Sequence, residues 1–328
     1  MWILGDPHEG AATANLSNRI ADMEAMMPFD IGIIVGDMIR NQFCPTWQEG
    51  WNFKNQFLLT DRNKFYCLAG NHDGDPNMAW FKSWVDPTGT APFSGVDNAL
   101  RPYPVLGTDY RYRVNVGNLS MLFLSDDNSA PTPFGRDCNV SGGHPGGHVE
   151  LEVYQWWISQ LHEPDTIYMT FSHQGLYDTT AYTDYFEGHD EQIHGSSSTF
   201  DDKGSSMIYS IGGVLEDERL WGFNGYLQAF PGSVLGWFHG HSHRTFTPFT
   251  EFNGRGTVQV KGGTLFVNAG CVGDYPGCSD VPYSRMLEFT EGSNVVIMHT
   301  IIHEDWNGFT KGVIDTQTYT IPIKFSQA

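Results

Sequence analysis

The chain has 328 residues, 40% of them hydrophobic, with 38 acidic against 18 basic side chains and a formal net charge of −20. That length allows one large α/β domain or two small ones, and one elaborated domain spanning residues 1–328 is the reading adopted here. The acidic balance argues against duplex nucleic acid as a partner, because such binding releases counterions through many Lys and Arg contacts.

The N-terminus passes at once into Gly5-Asp6-Pro7-His8, with no positively charged stretch ahead of an apolar segment. No apolar run reaches the roughly 18 residues of a membrane span. The expectation is a soluble, cytoplasmic chain without a membrane partner. Cys44, Cys67, Cys138, Cys271 and Cys278 are scattered and contain no C-x-x-C pair, which suits a reducing compartment better than a disulfide framework. Cys44 with Cys138 is the one pair that could still bridge.

Taken in order, Trp2 to Leu4 reads as a short strand, and residues 13–27 place Leu16, Ile20, Met23 and Met27 at helical spacing. Ile31 to Val35 follows as a buried strand ending at Gly36-Asp37. The cycle then repeats: a helix over Trp47 to Leu59, and a strand over Lys64 to Leu68 that runs into Gly70-Asn71-His72-Asp73. This alternation is the pattern of β-α-β units and a largely parallel sheet. Tyr110 to Val116 and Leu119 to Ser125 alternate as a hairpin about Gly117-Asn118 and begin a second sheet. A helical stripe (Leu151, Tyr154, Ile158, Leu161) precedes the strand Ile167 to Phe171, which delivers Ser172-His173. Val234 to Phe238 delivers His239-Gly240-His241-Ser242-His243, and Thr264 to Val267 precedes Asn268-Ala269-Gly270. Arg285 to Phe289, Asn294 to Ile302 and Thr318 to Phe325 read as closing antiparallel strands. Segments 126–148 and 178–206, rich in Gly, Ser, Pro and Asp, are too long for plain connectors and read as insertions over an active site.

Each predicted strand of the parallel set thus ends in a polar cluster: Asp6-Pro7-His8, Gly36-Asp37, Gly70-Asn71-His72-Asp73, His173 and Gly240-His241-Ser242-His243. In open α/β sheets ligands gather beyond the carboxyl ends of strands, so these clusters should converge. A lone Asp after a strand is commonly a turn residue, and a lone His is commonly structural; five clusters at five strand ends are hard to explain as packing. Imidazoles and carboxylates together hold Mn, Zn, Fe or Ni, and an Asp can bridge two cations.

The ordered set resembles the signature of the calcineurin-like metallophosphoesterase superfamily, D-x-H, G-D, G-N-H-D/E, H and G-H-x-H. The likeness runs from Asp6 to about Gly273, where Asn268-Ala269-Gly270-Cys271-Val272-Gly273 is similar to the family's N-P-G-S-V-G turn. It implies a four-layer α-β-β-α sandwich with two mixed β-sheets flanked by helices. It also implies hydrolysis of a phosphoester by water held between two metal ions, drawn from Mn, Fe, Zn, Ni or Mg with Mn favoured. Carried over, Asp6, His8 and His243 would hold one metal, Asn71, His173 and His241 the other, and Asp37 would bridge them. His72 would be the catalytic residue, not a ligand, stabilising the transition state or protonating the leaving oxygen, and Asn71, His72 and Arg40 would face the substrate.

The chain also departs from the superfamily's phosphoprotein phosphatases. There an Asp three residues beyond the bridging ligand orients the catalytic His; here that place is Arg40. Ala69 replaces the Arg before the G-N-H motif and Asp73 its Glu, which weakens a protein phosphatase reading and is more usual among phosphodiesterases and nucleases. A small, nucleotide-like phosphodiester or phosphomonoester is the expected substrate. A nuclease of the same superfamily is the alternative, and a non-catalytic scaffold is a third reading, opposed by the retention of every ligand. His144 and His148 flank a glycine-rich stretch and read as solvent-facing loop histidines rather than a metal clip; His162, His299 and His303 read as structural or exposed. His189 and His194 lie in the second long loop as candidate substrate contacts, and Phe134, Tyr177, Tyr182, Tyr185 and Phe186, in the two long loops, could stack on a base or other planar leaving group. The oligomeric state is not legible.

Overall fold

The computed structural model describes residues 1–9, 15–41, 43–74, 77–130, 138, 147–181, 183, 209–215, 221–243, 255–273 and 281–327. In chain order the elements are β1 (Trp2–Leu4), α1 (Asn15–Met26), β2 (Gly32–Ile34), α2 (Trp47–Asn55), β3 (Phe65–Cys67), α3 (Ala79–Trp84), β4 (Leu106–Gly107), β5 (Arg111–Val116), β6 (Leu119–Leu124) and β7 (His148–Val149). They continue with α4 (Leu151–Gln160), β8 (Ile167–Ser172), β9 (Ser210–Ile211), β10 (Val214–Leu215), α5 (Phe223–Ala229), β11 (Gly236–His239), β12 (Val258–Lys261), β13 (Thr264–Asn268), β14 (Tyr283–Phe289), β15 (Val295–Ile302) and β16 (Gly312–Thr320).

Two mixed sheets carry the fold, ordered β16-β15-β14-β1-β2-β3 and β12-β13-β11-β8-β6-β5-β4, with β10-β9-β7 as a small third. β1, β2 and β3 are parallel, as are β6, β8, β11 and β13. The alternation of side chains along a strand sorts the sequence into layers. Ile3 and Ile33 point inward and meet Phe123, Met169, Phe171 and Val267 of the second sheet in one buried cluster. Trp2, Leu4 and Ile34 point outward onto Leu16, Ile20 and Met23 of α1, Phe53 of α2, and Phe81 and Trp84 of α3. On the far side Leu122, Leu124, Trp237 and Phe266 pack on Val153 and Trp157 of α4 and Phe223 and Leu227 of α5. Helices therefore flank two stacked sheets. Each large apolar side chain so buried contributes roughly 1.5–3 kcal/mol relative to exposure.

The hairpin forms as expected, β5 pairing β6 with Val116 opposite Leu119. Two expectations shift. The final strand runs Gly312–Thr320 rather than 318–325, because the apolar Ile321 and Phe325 pack into the inter-sheet core without joining the ladder, while the more polar stretch before them pairs with β15. The second helix stops at Asn55, and Leu58 and Leu59 beyond it are exposed.

Among the described residues no helix is long and apolar enough to cross a membrane. The expectation of reduced cysteines is corrected: Cys44 and Cys138 form a disulfide, Cys271 is disulfide-bonded as well, and among the described residues Cys67 is free.

Candidate metal centre

The turns that follow β1, β2, β3, β8 and β11 meet at one end of the parallel strands. Asp6 N donates to Gly36 O at 3.2 Å, His8 N to Asp37 O at 3.0 Å, and Gly240 N to His173 O at 2.8 Å, so backbone hydrogen bonds stitch the turns together. Asp6, His8, Asp37, His241 and His243 all have positive φ, between 43° and 64°. A non-glycine residue in that region is uncommon, and its strain, roughly 1–3 kcal/mol each, persists where the surroundings over-determine it, as functional sites do. Gly36, at φ +96°, is required twice over: a Cβ there would lie 2.4 Å from His173 Nδ1. A Cβ on Gly70 would lie 2.3 Å from Asp37 Oδ1.

Two groups of ligand-type side chains result, each with its ligand atoms within 4.8 Å of one another: Asp6, His8, Asp37 and His243, and Asp37, His173 and His241. His243 Nε2 lies 3.1 Å from Asp6 Oδ1 and 2.8 Å from His8 Nε2. His173 Nε2 lies 3.0 Å from both Asn71 Oδ1 and His241 Nδ1. Asp37 belongs to both groups. Its Oδ1 accepts the His72 N–H at 2.9 Å, whereas Oδ2, fully buried, accepts no hydrogen bond and stands 3.3 Å from His173 Nε2 and 3.7 Å from His8 Nε2.

The donor chemistry fits cations. A carbonyl only accepts, so His8 Nδ1 donates to Ile39 O (3.0 Å) and His173 Nδ1 to Val35 O (2.8 Å), which turns both Nε2 atoms inward. The inward imidazole nitrogens of His8 and His243, 2.8 Å apart, need a proton or a cation between them. The electrostatics show how strongly these groups are coupled. Burial, reinforced by Asp37, pushes Asp6 up to about 7, and burial with the neighbouring His243 holds His8 down at about 4. Burial opposes charge on Asp37 and His173 too, but each is the other's main counter-charge: Asp37 is held well below the usual carboxylate range and His173 is raised to about 10. A metal takes His173 as the neutral imidazole, so its binding is linked to pH.

His72 is not in either ligand group. Its Nδ1 lies 2.7 Å from the backbone oxygen of Asn41, and its Nε2 faces Asp37 Oδ2 at 3.9 Å. Arg40, one residue before Asn41, is half-buried. Asp73 ties two ligand turns: Oδ1 accepts Met38 N at 2.7 Å and Oδ2 accepts Gly70 N at 2.8 Å. Burial and the nearby Asp37 push its carboxyl well above the ordinary range.

The sequence reading overlooked a third contributor, the run Ser125-Asp126-Asp127-Asn128 just past β6. Asn128 Nδ2 donates to Gly70 O at 3.0 Å, and Asp126 Oδ1 accepts the Tyr209 hydroxyl at 2.6 Å. That hydroxyl in turn accepts the His173 N–H at 3.2 Å. The polar run after a parallel strand was the available signal. Of the loop histidines, His148 is buried in β7, against the expectation of a solvent-facing loop; pairing with β9 takes it inside. His162 is exposed, His299 half-buried and His303 buried. His144, His189, His194, Phe134, Tyr182, Tyr185 and Phe186 lie outside the described residues.

The sequence profile of the calcineurin-like phosphoesterase family matches residues 1–245, and the chain belongs to that family. Metal-dependent hydrolysis of phosphoester bonds is the chemistry this membership carries. No curated protein matches the chain. Among solved structures, it is similar to a predicted phosphoesterase from Streptococcus pneumoniae TIGR4 at 9% identity, covering 97% of this chain and 95% of that one, with a TM-score of 0.38. It is also similar to a Vps29 variant from Entamoeba histolytica (11% identity, 98% of each chain, TM-score 0.33). A 5'-nucleotidase precursor from Thermus thermophilus shares 12% identity over 98% of this chain and 53% of that one, with a TM-score of 0.37. These likenesses are shallow, and none bears on substrate.

Proposed function

We propose that the chain is a dinuclear metal-dependent phosphoesterase acting on a small, nucleotide-like phosphoester, with diesters modestly favoured over monoesters. The observation that carries the dinuclear reading is Asp37, common to both ligand groups, with a buried oxygen that accepts no hydrogen bond. Asp6, His8 and His243 would hold one cation, Asn71, His173 and His241 the second, and Asp37 would serve both. Mn²⁺ is the first metal to test, with Fe, Zn, Ni and Mg as the others. When bound, such a pair lowers the pKa of a water and offsets charge on the phosphoryl oxygens. The chain's own residues supply the rest. His72, its Nδ1–H held by the Asn41 carbonyl, would as the imidazolium present Nε2–H to the leaving oxygen, hand over that proton and become the neutral ring, while Asn71 and Arg40 would contact the phosphoryl group.

The small-substrate reading rests on charge: 18 basic residues against 38 acidic ones leave few cations to follow a polymer backbone. The experiment compares kcat/KM for cyclic and linear small nucleotides and nitrophenyl phosphoesters, with Mn²⁺, against single-stranded and duplex DNA at low and moderate salt. Small esters should be preferred. A higher kcat/KM on DNA would replace this reading with a nuclease, and no turnover of any ester would leave a scaffold.

A further inference from the structure

Sharing no residue with the two ligand groups of the centre, Asp127, His148 and Glu150 place one ligand-type atom each within 4.8 Å of one another. They come from three elements: Asp127 lies just past β6, His148 in β7, and Glu150 is the residue that caps the start of α4. Asp127 N donates to His148 O at 2.8 Å, which fixes the first two side by side. Asp127 and His148 are 6% and 4% exposed, whereas the Glu150 side chain is 57% exposed. The cluster therefore has a buried wall and an open edge.

Asp127 Oδ1 accepts the Ser129 N–H at 3.0 Å and the Ser129 hydroxyl. His148 Nδ1 lies 3.3 Å from Ser210 Oγ, leaving Nε2 turned toward Glu150 Oε1 at 3.7 Å. The ligand-type oxygens of Asp127 and Glu150 lie within 4.8 Å of each other and of the imidazole, so two carboxyls converge on one ring. Among the described residues no Lys or Arg forms an ion pair with either. Glu150 makes no capping hydrogen bond to α4, so its carboxylate is not spent on the helix start. One imidazole and two carboxylates converging with an open edge are the donor set of a divalent transition cation that keeps water on its exposed side.

We propose that Asp127, His148 and Glu150 form a further cation site, taking Mn²⁺ or Zn²⁺, separate from the centre built on Asp37. The bound ion ties the carboxyl end of β6 to β7 and to the start of α4. It thereby steadies the segment that carries Asp126 and Asn128 against the Gly70 and His173 turns. The site does not depend on the phosphoesterase reading, and its test keeps the two apart.

The full chain is dialysed to equilibrium against Mn²⁺ or, separately, Zn²⁺, and bound metal is counted by mass spectrometry. Glu150→Gln changes an exposed side chain and should leave the fold intact by circular dichroism; His148→Ala removes the buried ligand. Both should bind one equivalent fewer than the unmodified chain and lose the part of the metal-induced rise in Tm that this site supplies. Asp37→Ala should retain the equivalent that Glu150→Gln removes. An unchanged metal count in folded Glu150→Gln, or disappearance of the Glu150-dependent equivalent in Asp37→Ala, would overturn the assignment.

Discussion

The His72 imidazole is held by a backbone carbonyl: its Nδ1 lies 2.7 Å from the oxygen of Asn41. Arg40 stands where related phosphatases place an orienting Asp, yet the ring is still fixed, through the chain itself. Asn41 is in turn braced, its Nδ2 donating to Cys44 O at 3.0 Å and to Glu49 Oε2 at 3.1 Å, and that Glu49 closes the capping box of α2 with Thr46. Orientation of the proposed acid is thus built into the start of a helix.

His72→Ala should keep its bound metal and lower kcat by roughly 10²-fold or more, within the range of acid-base groups. Asn41→Ala, which keeps the carbonyl but removes its brace, should lower kcat by a smaller factor. Metal analysis beside steady-state kinetics checks both. Loss of metal on His72→Ala would make that residue a ligand.

Asp73 accepts two buried backbone N–H groups, those of Met38 and Gly70. Asp73→Ala leaves both without a partner, at roughly 1–3 kcal/mol each, and frees the two turns that carry Asp37 and Asn71. Calorimetry should show a clearly lowered Tm, and dialysis should show weaker metal retention. An unchanged Tm would show that neither N–H depends on Asp73.

His303 offers a pH test away from the metal centre. Burial, with Arg19 and Lys311 nearby, holds its imidazole at about 3 against an ordinary 6.5. Below pH 6.5 the unfolded chain takes up a proton that the folded chain refuses, so stability is full above 6.5 and is lost as the pH falls toward 3. The slope from this one group is at most about 1.4 kcal/mol per pH unit. For the metal-free chain, Tm should fall more steeply between about pH 7 and about pH 4.5 in the native sequence than in His303→Gln; parallel curves would contradict this.

The convergence of the seven proposed ligands is legible because each lies within a few residues of the end of a short apolar run, where a strand end exposes what comes next. Asn41 was not legible as a partner of His72, because a carbonyl contact leaves no mark on residue type. Tyr209 sits 83 residues from the Asp126 it serves, and no local pattern links them. His148 was misread because His144-Pro145-Gly146-Gly147-His148 has the composition of a loop, whereas pairing with Ser210 and Ile211 of β9 fixes a two-residue strand. Interior burial of that kind is a tertiary outcome. The same holds for Ile3 and Leu4: strand geometry puts them on opposite faces, but both are apolar and buried, so which layer each enters is set by the fold.

The shared role of Asp37 is the centre of the account, and Asp37→Ala tests it most directly, with metal content and turnover measured on the same Mn²⁺-loaded preparation. The account predicts loss of at least one of the two cations of this centre and of nearly all turnover, in a chain that remains folded. Near-normal activity with full metal occupancy would contradict it.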